Sequence, residues 1–289
     1  MVLDRCARAG SSFAARSKLK LVKGLTVMRF SLIASIASAL LLAALPGSAT
    51  AADSAKIKIL LITGDDVGAH KWQETAPATR DILVNSGKFD VKVVEDLSCL
   101  ENADDLKPYD VIFFHRYDRS GVISDKAKEN LLNFVKSGKG FAVCHLASAS
   151  FGPTMKKEGD KVEQVKPGWD EFCKLCGRIW VMKVSGHGKR TPFMVHITNK
   201  THPITKGLED FEADDELYAK LQGDAPINVL ATADSDWTKK IEPIIFTASY
   251  GKGRVFHETF GHDTKALQNA NIAKVICRGC EWAATGEVK

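Results

Sequence analysis

The sequence lacks any apolar run long enough to cross a membrane. Its longest candidate, residues 31–45, is about 15 residues long, and nothing after it approaches the ~18 that a membrane-spanning helix needs. This run follows a basic start at Met28 and ends in small residues up to Ala51, which is the pattern of a secretory signal peptide. We therefore expect a start at Met28, cleavage after Ala51, and a periplasmic or secreted protein without a membrane span.

A basic surface is also lacking once the leader, residues 1–51, is set aside. The chain has 40 Lys+Arg and 35 Asp+Glu, of which seven and one lie in the leader, so 33 basic and 34 acidic residues remain. The net charge changes from +5 for the whole chain to about −1 for the mature part. Because binding to phosphate backbones needs a surplus of Lys and Arg, we expect no nucleic-acid partner.

Internal repeats, low-complexity stretches and Pro/Ser-rich linkers are absent after residue 55. By length, the mature chain suits one large α/β domain or two small ones. Since nothing in the sequence marks a boundary, we predict a single domain over residues 52–289.

Short apolar runs alternate with amphipathic segments in the first half of the mature chain. Strands are predicted at residues 56–63, 89–94, 110–115 and 141–146, and helices at 75–86, 124–137 and 169–176. This alternation is typical of a doubly wound, mostly parallel sheet. Strand-like segments at 193–198, 227–232, 244–249 and 254–258 predict β-rich C-terminal additions, which could extend the sheet or form a flap over it. A closing helix is predicted at 264–284.

Four of the eight histidines map to the edge where the predicted strands end. His115 and His145 fall at strand carboxyl ends, His70 follows the first strand, and His262 precedes the last helix. Ligands bind doubly wound sheets at this edge. A neutral imidazole is also the commonest metal ligand and the commonest general base. We therefore expect the functional site of the domain at these histidines.

An ordered series of motifs resembles the ThuA-like (trehalose utilisation) family. The motifs are GDDVGAHKWQET at 64–75, GFAVCH at 140–145, SGHG at 185–188, THPITKGL at 201–208, DELY at 215–218, GKGRVF at 251–256 and GHD at 261–263. The match spans about residues 57–286, and its order makes it specific. Asp65 and Asp66 stand where many members have adjacent Asn residues. The resemblance implies a flavodoxin-like fold akin to class I glutamine amidotransferases, without their catalytic machinery.

The resemblance also implies which residues form the site. The implied catalytic residues are His145, His262 and Glu216. The implied substrate-binding residues are His70, Trp72, Tyr218 and Asp263. Since some ThuA-like proteins contain a divalent metal such as zinc, the implied metal ligands are His145, His187 and His262. No nucleotide cofactor is expected.

The family is linked to the metabolism of disaccharides oxidised at the sugar 3-position, through hydrolase, lyase or isomerase activities. A keto group acidifies the neighbouring C–H bond, so a base such as His145 or His262 could remove that proton. A cation or a second histidine would stabilise the enolate oxygen. Glu216 could then donate a proton to the leaving glycosidic oxygen. The resemblance thus implies an enzyme acting on 3-keto glycosides or disaccharides, with a small-molecule sugar as its partner.

Two other functions stay open at this point. The first is a non-catalytic carbohydrate-binding or accessory protein on the same fold, which would retain Trp72 and Tyr218. The second is a hydrolase that uses Cys144 as its nucleophile. Neighbouring residues on a strand point to opposite faces, so the Cys144 thiol would need a histidine other than His145 to activate it. The resemblance instead implies that His145 occupies the elbow and that Cys144 faces the core.

Two C-x-x-C pairs offer three alternatives. The pairs are Cys173 with Cys176 and Cys277 with Cys280, and their spacing suits a four-cysteine zinc site. An exported protein also permits disulfides, which could join two helices. The third alternative is that these residues are buried thiols.

Overall fold

A nine-stranded sheet forms the centre of the protein in a computed structural model that describes residues 55–289. The strands are β1 (Ile57–Ile62), β2 (Phe89–Val94), β3 (Val111–Phe114), β4 (Gly140–Cys144), β5 (Thr154–Glu158), β6 (Lys161–Lys166), β7 (Gly186–His187), β8 (Thr191–Ile197), β9 (Phe211–Asp215), β10 (Tyr218–Ala219), β11 (Asn228–Ser235), β12 (Lys240–Tyr250) and β13 (Gly253–Glu258). The helices are α1 (Trp72–Asn85), α2 (Ala103–Leu106), α3 (Asp125–Lys136), α4 (Asp170–Cys176), α5 (Thr264–Leu267) and α6 (Ala270–Thr285), with short 3₁₀ helices at Ser98–Leu100 and His145–Ala149. The predicted leader and its cleavage point after Ala51 lie outside the described residues.

The central sheet has a parallel half and an antiparallel half. Its order is β2-β1-β3-β4-β13-β12-β11-β8-β9. The first five strands pair in parallel, and the last four pair antiparallel with their neighbours. The predicted α/β fold with a large parallel sheet is therefore confirmed. The four predicted C-terminal strand segments correspond to β8, β11, β12 and β13, and these strands together with β9 extend the sheet.

Helices cover both faces of the parallel half. Ile59 and Leu61 of β1 pack into one core with α1, α5 and α6, whereas Leu60 and Ile62 pack into a second core with α2, α3 and α4. Side chains alternate between the faces of a strand, so the uninterrupted apolar sequence of β1 is buried on both sides. Strands β1, β3 and β4 are thereby fixed in the interior, and only their carboxyl ends lead into loops that can form a site. No helix within residues 55–289 is long and apolar enough to span a bilayer.

Three sequence predictions differ from the structure. The predicted closing helix is two helices, because the Asn269 side chain caps α6 by accepting a hydrogen bond from the Asn271 amide at 2.9 Å. The hairpin of β5 and β6 was not predicted, since its strands are rich in Lys and Glu and are mostly exposed, so they lack apolar alternation. Strand β9 was also missed, and its sequence FEADD has only two apolar residues.

The two C-x-x-C pairs lie in different cores. Cys176 packs into the core under α4, and Cys280 packs into the core under α6, on the other face of the sheet. Of the three alternatives left open for these pairs, the structure therefore contradicts a disulfide between the two helices and a four-cysteine zinc site, and it agrees with thiols. All six cysteines of the described chain are free thiols, and burial raises the pKa of Cys176 and Cys280 well above the usual value.

Helix α6 approaches the sheet closely at Gly279. A methyl group at this position would come within 2.3 Å of the Phe256 ring on β13. We predict that Gly279→Ala lowers the free energy of unfolding by about 1–3 kcal/mol through overpacking, although Ala favours helix formation. The measurement is urea denaturation of the mature chain. The control is Lys274→Ala on the exposed side of α6, which should change stability by less than about 0.5 kcal/mol. A Gly279→Ala variant as stable as the control would contradict this packing.

Candidate metal and active site

Four residues from distant parts of the chain meet beyond the carboxyl ends of the strands. His70 lies in the loop between β1 and α1, and His145 is the first residue after β4. Glu216 follows β9, and His262 lies between β13 and α5. His145 has a positive φ of 44°, which is rare for a residue with a side chain and typical of functional sites. The resulting sharp turn directs its ring to the edge of the sheet, as the family resemblance implied.

The ligand-type atoms of these four residues are close together. His70 Nε2 lies 3.1 Å from His145 Nε2 and 3.2 Å from His262 Nδ1. Glu216 Oε2 lies 3.2 Å from His262 Nδ1, 3.6 Å from His145 Nε2 and 3.7 Å from His70 Nε2. All four atoms lie within 4.8 Å of one another. We refer to His70, His145, Glu216 and His262 as the His₃Glu cluster.

The donor set fits a divalent metal. Zinc binds imidazole nitrogen and carboxylate oxygen at about 2.0–2.2 Å, so neighbouring ligand atoms of a tetrahedral site are about 3.3–3.6 Å apart. The five separations above, from 3.1 to 3.7 Å, are close to this spacing. In addition, His145 Nδ1 lies 2.7 Å from the Thr259 carbonyl oxygen. Because Nδ1–H must be the donor in this contact, the lone pair of His145 is on Nε2 and faces the cluster.

The charge state of the cluster follows from its contacts. Burial acts to raise the Glu216 pKa, but the three surrounding histidines, His145, His262 and His70, outweigh burial and lower it. The hydrogen bond with Glu216 raises the pKa of His262. Burial lowers the pKa of His70. Glu216 is therefore an ionised carboxylate, which suits a metal ligand and does not suit the proton donor that the sequence prediction made of it.

His187 and Tyr218 lie beside the cluster rather than in it. His187 Nε2 is 3.3 Å from Glu216 Oε1, the oxygen that faces away from the other histidines, and its Nδ1 is 2.7 Å from the Gly188 carbonyl oxygen. His187 was predicted as a metal ligand, but it is absent from the group of converging ligand atoms within residues 55–289. Tyr218 stacks on His145 at 4.2 Å, and its hydroxyl lies 2.9 Å from His145 Nε2.

Two predicted substrate-binding residues have structural partners. Asp263 caps α5 by accepting a hydrogen bond from the Ala266 amide at 2.9 Å, and it also pairs with Arg190. The Trp72 indole N–H donates to Asp66 Oδ1 at 2.9 Å. The Asp263 carboxylate is therefore engaged in capping α5 and in its pair with Arg190, and the structure gives it no contact in the cluster. Trp72 also lines a cavity next to the cluster.

A small cavity of about 30 Å³ adjoins the cluster and is lined by His70, Trp72, His115, Tyr117 and His145, among other residues. Burial lowers the pKa of His115 to about 4, with a contribution from His145, so the His115 ring is neutral. Its Nδ1 lies 3.3 Å from Thr63 Oγ1. The sequence placed His115 at the edge of the sheet, yet it was not included among the predicted site residues. Its position directly after β3 is the sequence feature that could have identified it as a site residue.

Cys144 does not have the environment of a nucleophile. Its side chain packs into the core under α6, and the residue is 6% exposed. Burial raises the pKa of the thiol well above its usual value, and Glu258 raises it further. Since the thiolate is the reactive form, the geometry argues against a Cys144-dependent hydrolase.

Comparison with known proteins identifies the family of this chain. The family model for ThuA, described as trehalose utilisation, matches residues 58–283. The chain belongs to the ThuA family. A ThuA-like protein from Parabacteroides merdae is similar in structure, with a TM-score of 0.64 and 28% identity over 81% of this chain and 92% of the other. A ThuA-like protein from Bacteroides uniformis has a TM-score of 0.61 and 18% identity over 80% of this chain and 92% of the other.

More distant similarities show the fold alone. A cytoplasmic protein from Salmonella typhimurium has a TM-score of 0.54 and 17% identity over 79% of this chain and 100% of its own. No curated protein sequence matches the chain. The ThuA family membership points to a role connected with carbohydrates, and the His₃Glu cluster lies inside the matched region.

Proposed function

We propose that this ThuA-family protein is an enzyme that processes oxidised sugars, namely 3-keto glycosides or disaccharides, at the His₃Glu cluster with a bound divalent metal. The observation that carries the proposal is the convergence of three imidazole nitrogens and one carboxylate oxygen, with five of their six separations between 3.1 and 3.7 Å. The description of the family as trehalose utilisation supports a sugar as substrate.

In this proposal the four cluster residues hold the metal. The ligand atoms are His70 Nε2, His145 Nε2, His262 Nδ1 and Glu216 Oε2. When bound, a metal such as zinc would supply Lewis acidity towards a carbonyl oxygen of the sugar. His145 and His262 are thereby assigned the role of metal ligands, one of the two roles that the resemblance implied for them, because the nitrogen of each ring that lies in the cluster is directed at Glu216 Oε2.

Proton transfer is then assigned to His187. Its Nε2 can accept the proton from the carbon next to the keto group, which gives an imidazolium. Only that doubly protonated ring donates to both neighbours, the Gly188 carbonyl and Glu216 Oε1, at 2.7 and 3.3 Å. The same proton can then pass to the glycosidic oxygen as its bond to the sugar breaks. His187 is exposed, so it is accessible to a substrate above the cluster.

The cavity beside the cluster is the proposed sugar site. His115 is neutral and lines this cavity together with His70 and His145, so it can exchange hydrogen bonds with sugar hydroxyl groups. Trp72 and Tyr117 line the same cavity and offer aromatic surface to a sugar ring. The cavity itself is small, about 30 Å³, so it would take one hydroxyl-sized group of the sugar while the ring lies at its mouth.

A non-catalytic sugar-binding protein is less well supported by the same contacts. A binding site for a neutral sugar does not need an ionised carboxylate surrounded by three imidazoles, and burial of such a group costs free energy unless it is paired. The test is turnover of a 3-keto disaccharide by the metal-loaded mature chain, together with metal analysis by mass spectrometry. Binding of the sugar without product formation would overturn the enzymatic proposal.

We also propose export, on the basis of the signal-peptide pattern in residues 28–51. We predict that the protein expressed in a Gram-negative host with its own leader is found in the periplasm or medium, with Ala52 as the first residue of the mature chain. The measurement is cell fractionation followed by mass spectrometry of the N-terminus. A chain that keeps residues 28–51 and stays in the cytoplasm would contradict export.

A further inference from the structure

We propose that Asp215 is a positioning residue, which holds together the two loops that carry Glu216 and His262 and thereby sets the metal affinity of the His₃Glu cluster. This inference rests on the proposed function, because it assumes that the cluster binds a metal. Asp215 ends β9 and is 1% exposed, and neither the sequence pattern nor the family resemblance implies a role for it.

The contacts of Asp215 reach both loops. Its Oδ2 accepts a hydrogen bond from the Gly261 amide at 2.7 Å. Its Oδ1 accepts from the amides of Glu216 at 2.7 Å and His262 at 3.3 Å. One buried carboxylate therefore fixes the backbone of two cluster residues, although Glu216 and His262 are separated by strands β10 to β13 in the chain.

The same loop also orients a third ligand. The Thr259 carbonyl, which accepts the hydrogen bond from His145 Nδ1, lies two residues before Gly261. A shift of the loop at Gly261 would move the Thr259 carbonyl as well as the His262 backbone. Asp215 thus acts on three of the four cluster residues without contacting the metal position itself.

Substitution by Asn should disturb this arrangement without changing side-chain size. An amide has one oxygen acceptor and one NH₂ donor, so at least one of the three backbone amides would face a donor. A buried amide left unpaired in this way costs free energy and the loop shifts to relieve it. Outer residues that orient metal ligands contribute about 10–100-fold to metal affinity when they are substituted.

The experiment compares Asp215→Asn with Asp214→Asn. Asp214 is adjacent in sequence and carries the same charge, but its carboxylate pairs with Arg190 and Lys265 and contacts no backbone amide of the cluster loops.

The measurement is Zn²⁺ affinity by competition with a chromophoric chelator, together with the absorption spectrum of the Co²⁺ form. We expect Asp215→Asn to bind Zn²⁺ about 10–100-fold more weakly with an altered Co²⁺ spectrum. Asp214→Asn should stay within about threefold of wild type with the same spectrum, since Asp214 is partly exposed and holds no backbone amide of the cluster loops. Equal weakening in both variants, or wild-type affinity in folded Asp215→Asn, would overturn the proposal.

A measurement on the unsubstituted protein covers the case in which Asp215→Asn fails to fold. In the metal-free wild type, hydrogen exchange should be slow at the Gly261 amide, because its partner is the Asp215 carboxylate and not the metal. Exchange at the rate of an open loop would overturn the positioning role. A wild type that binds no divalent metal would contradict the proposed metal centre. Protection of the Gly261 amide in that case would still support the hydrogen bond between Asp215 and the loop.

Discussion

Glu216→Gln should lose the bound metal and with it the turnover of a 3-keto disaccharide. The amide keeps the shape of the side chain but removes the charge that the three histidines surround at 3.2 to 3.7 Å. Substituting a residue that only orients a metal ligand lowers metal affinity by roughly 10–100-fold. We expect a larger fall for Glu216→Gln, because Glu216 is itself one of the proposed ligands. The free energy of unfolding should fall by less than about 1 kcal/mol, since the substitution also removes a desolvated charge.

The matched control for Glu216→Gln is Glu281→Gln. Glu281 lies near the C-terminal end of α6, is 6% exposed and pairs with Lys88, the residue before β2. Its substitution therefore tests the loss of a buried carboxylate away from the cluster. Glu281→Gln should retain metal and turnover. Metal analysis by mass spectrometry and steady-state kinetics on both variants are the measurements. Full activity in metal-loaded Glu216→Gln would show that Glu216 is not a ligand.

His187→Ala should separate proton transfer from metal binding. His187 contacts the outer oxygen of Glu216 and none of the cluster histidines, so its loss should leave the metal content close to that of the wild type. The kcat should fall by about 10²–10⁴-fold, the usual contribution of a general acid or base. His70→Ala is the comparison, because it removes a cluster ligand and should lose both metal and activity.

The outcome for His187→Ala distinguishes three assignments. A fall in kcat at constant metal content supports proton transfer by His187. A parallel loss of metal and activity would instead favour the sequence prediction of His187 as a ligand. Unchanged kcat would remove His187 from the mechanism. Metal content by mass spectrometry and kcat with a saturating 3-keto disaccharide provide the readouts.

The parallel half of the sheet could be predicted because its strands are apolar on both faces. The apolar sequences IKILLI of β1 and VIFF of β3 are typical of interior strands that are buried on both faces. The hairpin of β5 and β6 could not be predicted in this way, because its strands are polar and mostly exposed and have no buried face to impose a period of two. Its pairing depends on contacts that the sequence pattern does not display.

The candidate site was predictable only in part, for a related reason. His70, His145 and His262 follow strands, so their common edge can be expected from the parallel topology. Glu216 came from the family resemblance, because it follows β9, a strand that apolar alternation does not identify. The Thr259 carbonyl that orients His145 is a backbone atom, and every residue type has one, so no sequence pattern marks it.

A crystal structure of the Zn²⁺-loaded mature chain, with anomalous data at the zinc edge, tests the central claim most directly. The predicted result is one strong anomalous peak about 2.0–2.2 Å from His70 Nε2, His145 Nε2, His262 Nδ1 and Glu216 Oε2. His187 should lie beside Glu216 Oε1 and outside the coordination sphere. A peak bound by other residues, or no peak at the His₃Glu cluster in crystals grown with excess Zn²⁺, would contradict the proposed metal centre.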